Sequence, residues 1–207
     1  MARPEMTVDE FNTCVANHSV EVLLDSGVYR HLKCRQPDTN IYGFDVVTYP
    51  GHLVISGDMG CFVFSRIPDM FQFFRDNNGN HANINKGYWA EKLQAHDTDG
   101  GHKKFCPDKF KGDIRSEFLN GYCADPENLT KEEKAKWREI VDDVFTHLDD
   151  GEHEAHRALF NIRWWQYDGG DYRVYTSQYI FCLHAIVWAI AKYDSMALAE
   201  IIGKGKA

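Results

Sequence analysis

The chain contains no Cys-x-x-Cys pair, no excess of basic residues and no apolar run of membrane-spanning length. Each absence removes a class of function. The six cysteines, Cys14, Cys34, Cys61, Cys106, Cys123 and Cys182, lack the paired spacing of zinc fingers and thioredoxin-like redox sites. Four of them sit within apolar patterns and read as buried free thiols of a reducing compartment. Lys and Arg number 23 against 31 Asp and Glu, a formal net charge of -8. That balance disfavours direct nucleic-acid binding, which calls for a basic stripe. It suits a basic partner, including another protein's nucleic-acid groove. The longest apolar run, residues 179–191, is interrupted by His184 and is shorter than the roughly 20 residues a bilayer requires. Met-Ala-Arg-Pro-Glu at the start lacks the apolar stretch of a signal peptide. The expected location is therefore the cytoplasm, without a membrane. GxGxxG, P-loop, GxSxG and HExxH patterns are absent too.

What is present suits a folded protein. Of 207 residues 43% are hydrophobic and 14% aromatic, enough for one α+β domain with a sizeable core. Thr7 and Glu10 have capping-box spacing ahead of an amphipathic pattern at Phe11, Cys14, Val15 and His18. Strands are predicted over 20–24, 28–35, 41–49, 52–56 and 61–66, joined by turns short enough to demand an antiparallel five-stranded meander. Pro50-Gly51 suits the centre of a type II turn, and Asp58, between Gly57 and Met59-Gly60, suits a turn held by its side chain.

Helices are predicted after Pro68, after Asn85 (with Tyr88, Trp89 and Leu93 on one face) and after Pro107. Another follows the second capping box, Thr130 and Glu133, and the last two run over about 152–165 and 179–193. The regions are thus a sheet-rich 1–75, a helical 84–195 and a frayed tail at 203–207. Residues 76–81 read as a polar loop and 97–104 as a mobile one, given Gly100-Gly101.

Several blocks carry a resemblance: Phe44-Asp45-Val46-Val47-Thr48-Tyr49-Pro50-Gly51, Ser56-Gly57-Asp58-Met59-Gly60, Phe62-Val63-Phe64-Ser65-Arg66 with Asp69-Met70-Phe71, Tyr88-Trp89-Ala90-Glu91-Lys92-Leu93-Gln94-Ala95, and Phe181-Cys182-Leu183-His184-Ala185-Ile186-Val187-Trp188-Ala189. Together they resemble a family of uncharacterised accessory proteins of bacteriophages and prophages of Gram-negative bacteria. The resemblance runs from about residue 20 to 193 and is most specific around Gly57-Asp58-Met59-Gly60. It brings no catalytic residues. It implies a phage product in the host cytoplasm, of the kind that blocks host defences, including CRISPR systems, by stoichiometric binding.

Two sets of candidate residues follow. For contact with a host defence protein they are the acidic Asp142, Asp143, Asp149 and Asp150, and the aromatic segment Arg163, Trp164, Trp165, Tyr167 and Tyr172. For metal binding they are His147, His153 and His156, since His153 and His156 at i, i+3 share a helix face. A metal-dependent hydrolase or a nucleotide-acting or nucleotide-sequestering protein is the alternative. His96, Asp97, Asp99, His102 and Cys106 form a weaker cluster, with a surface loop as its plain reading. The leading expectation requires no cofactor.

Overall fold

A computed structural model describes residues 5–75, 84–98, 100–166 and 168–204. Its helices are α1 Val8–Cys14, α2 Met70–Phe74, α3 Lys86–Ala90, α4 Pro107–Gly121, α5 Lys131–Asp143, α6 Glu152–Asn161 and α7 Ser177–Lys204. Its strands are β1 Ser19–Ser26, β2 Tyr29–Arg35, β3 Phe44–Tyr49, β4 His52–Gly57, β5 Gly60–Ser65, β6 Leu93–His96, β7 Lys103–Phe105 and β8 Arg173–Tyr175. The fold is α+β, with an antiparallel sheet near the N-terminus and helices mostly after it. Contacts divide the chain into two compact units: Lys104–Val174, and the described residues on either side of it, within 5–103 and 175–204.

The flanking unit holds the sheet, whose six strands pair in simple sequence order. All five predicted strands are present, and the hairpin registers run Tyr49↔His52 and Gly57↔Gly60. Gly51 has φ +79, the conformation that the third residue of a type II turn requires. The sixth strand corrects the prediction of one helix over Tyr88, Trp89 and Leu93. That helix, α3, stops at Ala90, and Leu93–His96 pairs with the free edge of β5. Backbone bonds at both ends, Ser65 N–H to Lys92 O and Asp97 N–H to Cys61 O, extend the ladder.

Alternation sets the faces of this sheet. Leu32, Cys34, Phe44, Val46, Leu53, Ile55, Phe62 and Phe64 are buried on one side, where α7 packs on β1, β3 and β5. Phe181 of α7 meets Phe11 of α1 at 5.2 Å and Tyr42 at 5.6 Å between ring centroids. Both predicted capping boxes form, at Thr7/Glu10 and Thr130/Glu133. Asp69 caps α2 and also accepts both terminal nitrogens of Arg30, at 2.9 and 3.2 Å.

The block around Gly57 locks two turns together. Asp58 N–H donates to Gly43 O at 2.9 Å, and Asp58 Oδ2 accepts Tyr42 N–H, also at 2.9 Å. Tyr42 needs such support, because its φ of 55° lies in the left-handed region that β-carbons disfavour.

The last helix is longer than the sequence pattern indicated, reaching Lys204 rather than ending near residue 193. Over Ser177–Ala199 it is long and apolar enough to cross a membrane, with mean hydropathy 1.2, and 61% of that window is buried within the protein. Residues 179–190 are buried all round, as in the core helix of a globular fold. The expected loop at 76–81 and the tail at 205–207 lie outside the described residues.

Candidate functional site

The residues of the two main candidate sets fall in the stretch Lys104–Val174, and those of the weaker cluster, Cys106 apart, precede it. Its core is built from Phe110, Ile114 and Phe118 of α4, Ile140 of α5, Val144, Leu148, Ala155 and Leu159 of α6, Ile162, Trp165 and Tyr172. The periodic stripe of α5 explains why its other face is wet: Ile140 turns inward, while Glu139, Asp142 and Asp143 turn out. After α5 a short 3₁₀ turn, Phe145–His147, leads to Gly151, whose φ of 109° ends the first helical run before α6 starts.

Between Arg138 and Arg157 the chain carries seven carboxylates and no lysine or arginine. The unit as a whole has 16 acidic and 11 basic residues, a net -5 of the chain's -8. Asp142, Asp143, Asp149 and Asp150 are all exposed. Only Asp150 among them has an ion-pair partner among the described residues, His147 Nδ1 at 3.0 Å. Asp142 and Asp143 line a cleft of about 400 Å³ together with Glu139, His147, Glu154, Arg157, Ala158, Asn161 and Ile162. Its one arginine, Arg157, is tied to Glu154.

The aromatic candidates divide. Trp165 and Tyr172 are each 5% exposed and belong to the core, with Tyr172 packed 4.7 Å from Phe110 and Trp165 stacked 4.8 Å from Tyr122. Neither presents a face to a partner, which corrects the expectation for both. Their apolar bulk is what closes a core made of short helices. Arg163 is exposed and Trp164 half-buried. Tyr167 lies outside the described residues. Trp164 donates its indole N–H to Glu139 Oε2 at 2.7 Å and so is fastened to the wet side of α5.

The three histidines do not converge. His147 pairs with Asp150, and His153 points to solvent. His156 turns inward against Tyr172 and Phe110, at 5.4 and 6.0 Å, with Glu152 3.8 Å away. Gly151 separates His147 from the helix that carries the other two, which is why the linear cluster does not become a spatial one. Among the described residues no group of three or more His, Cys, Asp or Glu side chains is placed to hold a metal ion.

The weaker cluster forms no group placed to hold a metal ion among the described residues. Asp97 accepts Cys61 N–H at 2.8 Å and closes the β5–β6 end of the sheet. His96 and His102 lie 6.3 Å apart, and Asp99 is outside the described residues. Cys106 caps α4 by accepting Lys109 N–H on sulfur and is 6% exposed, so its role is structural. The loop expected to be mobile at 97–104 gains backbone order where Lys103–Phe105 pairs with Arg173–Tyr175 and His102 O accepts Thr176 N–H.

A second cleft in the same unit contains residues that the pattern did not single out. It measures about 550 Å³ and is lined by Glu117, Gly121, Tyr122, Trp164, Gln166 and Asp168. Gln166 N–H donates to Tyr122 Oη at 2.8 Å. Burial pushes the Glu117 carboxyl up from its ordinary value, and the nearby Asp168 carboxylate adds to the rise. Glu117 falls one residue before the buried Phe118 of α4, and Asp168 precedes Gly169-Gly170 about fifty residues on. Nothing in the linear sequence joins two positions so far apart.

No protein-family model, no curated protein and no solved structure matches the chain.

Proposed function

We propose that this protein is a phage-encoded, anti-CRISPR-like inhibitor that binds a bacterial defence protein stoichiometrically through the acidic face of Lys104–Val174. One observation carries the reading: the exposed carboxylates Asp142, Asp143 and Asp149 have no ion-pair partner among the described residues, beside a cleft with four acidic walls. Carboxylates left in solvent without cations cost repulsion and contribute little to stability. They are well suited to steering a basic surface into register. A groove that holds nucleic acid is such a surface, and the acidic face would compete with phosphate for it. The resemblance to phage accessory proteins supports the setting, a host cytoplasm.

The alternative, a metal-dependent hydrolase or nucleotide-acting protein, has no geometric observation in its favour, because His147, His153 and His156 face three different surroundings. The test is co-purification from phage-infected host lysate, using the intact protein and a variant with Asp142→Asn, Asp143→Asn, Asp149→Asn and Asp150→Asn. A host protein recovered at equal molar yield with the first and lost with the second is the expected result. Recovery that ignores the four substitutions, or no stoichiometric partner at all, overturns the reading.

A further inference from the structure

We propose that the cleft lined by Glu117, Tyr122, Trp164, Gln166 and Asp168 at the end of α4 is a binding site for a guanidinium group, the head of an arginine side chain presented by a protein partner. The inference deepens the proposed function and rests on it for the source of the arginine. The cleft's own chemistry stands apart from that reading.

Four features of the cleft point to a cation. Glu117 and Asp168 line it together, and neither has an ion pair with a lysine, arginine or histidine among the described residues. Their mutual repulsion and the burial of Glu117 both favour a proton on that carboxyl. A fixed positive charge between them would remove the repulsion and restore the carboxylate. The walls are aromatic, Tyr122 and Trp164. Lys136 Nζ, paired with Glu132 at 2.9 Å, stands 5.6 Å from the centroid of the Trp164 ring, within the range of a cation–π contact. Finally, α4 ends at Gly121 with no basic residue in its last turn. The negative end of a 15-residue helix thus borders the cleft with no basic residue of its own last turn to offset it.

Guanidinium suits these walls better than ammonium. It is planar, stacks on aromatic rings and offers several donors at fixed angles, so it can reach two carboxylates from one position. An ammonium group is a compact, strongly hydrated charge that gains less from the rings. The Trp164–Glu139 hydrogen bond places this cleft next to the acidic one, since Glu139 lines the first and Trp164 the second. A basic segment crossing that bridge would find carboxylates on both sides.

The test is an NMR titration of the intact protein with N-acetyl-L-arginine amide, following the indole N–H of Trp164 and the side-chain carboxyl of Glu117. Saturable shifts are expected, with a dissociation constant on the order of 1 mM, as for a ligand of about 15 non-hydrogen atoms at ordinary efficiency. Saturation should lower the Glu117 pKa, and by reciprocity affinity should rise with pH through its titration. A Glu117→Gln, Asp168→Asn variant with an unchanged far-UV spectrum should bind at least about tenfold more weakly. N-acetyl-L-lysine amide should also bind more weakly than the arginine probe. Shifts that do not saturate, a Glu117 pKa that ignores the ligand, or equal affinity for the lysine probe would each overturn the assignment. The probe requires no partner protein, so success here with failed co-purification would sink only the proposed function. The reverse result would sink only this cleft.

Discussion

Replacing Gly57 with alanine should unfold the sheet-bearing unit at a clearly lower temperature. A β-carbon on Gly57 would stand 2.7 Å from Phe44 Cα and 2.9 Å from Phe44 Cβ, with the Gly43 carbonyl oxygen closer still. Carbon atoms need roughly 3.5 Å, so β3 and β4 would have to separate by about 1 Å at their paired ends. The neighbours are backbone and cannot rotate away. Separation would break the bond from Asp58 N–H to Gly43 O, now 2.9 Å, for about 1 kcal/mol net. Strain in the displaced ladder adds about 1–3 kcal/mol. Reduced freedom of the unfolded chain offsets about 0.4–1 kcal/mol. The net loss is about 2 kcal/mol, a fall in Tm of about 4–8 °C for a chain of this size. Thermal and urea unfolding followed by circular dichroism would measure it. A variant within about 0.5 kcal/mol of the parent, the ordinary scatter of neutral surface changes, would refute the claim that the Gly43–Gly57 approach is as tight as described.

The same reasoning gives the opposite sign at Gly112, where nothing lies within 4 Å of an added β-carbon in α4: Gly112→Ala should stabilise by about 0.5–1 kcal/mol in the same unfolding assay. Trp165→Ala should cost about 3–5 kcal/mol because it empties a core position, whereas Arg163→Ala, on an exposed side chain, should stay within about 0.5 kcal/mol. Burial holds the His18 imidazole below its ordinary value, against the raising effect of the Tyr42 and Ile41 carbonyls. A lowered folded value means that the unfolded chain binds the proton more tightly. His18 therefore contributes stability above the unfolded pKa of about 6.5 that is lost as pH falls through the folded value. The drop in Tm from pH 7.5 to 5.5 should be smaller in His18→Gln than in the parent.

The elements that were legible in the sequence are those specified by local chemistry. Thr7/Glu10 and Thr130/Glu133 cap helices through their own side chains, and Pro50-Gly51 turns the chain wherever it occurs. The sixth strand was not legible. Leu93–His96 is only four residues long, too short for its Leu-Gln-Ala-His alternation to stand out beside a helix start, so its pairing depends on the open edge of β5. The length of α7 was also hidden, because Asp194-Ser195 interrupts the apolar run of residues 179–191 before Met196, Leu198, Ile201 and Ile202 resume it.

The exposure of the candidate residues was legible only in part, for a similar reason. Carboxylates at 142, 143, 149 and 150 are exposed as a charged pattern predicts. Which of Trp164, Trp165 and Tyr172 would be buried depends on Phe110 and Tyr122 from a distant helix. The Glu117–Asp168 cleft is purely tertiary.

The account stands most directly on the affinity of the acidic face for the partner recovered by co-purification. Calorimetric titration of that partner should give a stoichiometry near one and an affinity that weakens steadily with added salt, since exposed charges are screened over about 10 Å at 0.1 M. The Asp142→Asn, Asp143→Asn, Asp149→Asn, Asp150→Asn variant should bind at least about tenfold more weakly, from roughly 0.5 kcal/mol per exposed pair. Equal affinity for both proteins, unchanged by salt, would contradict it.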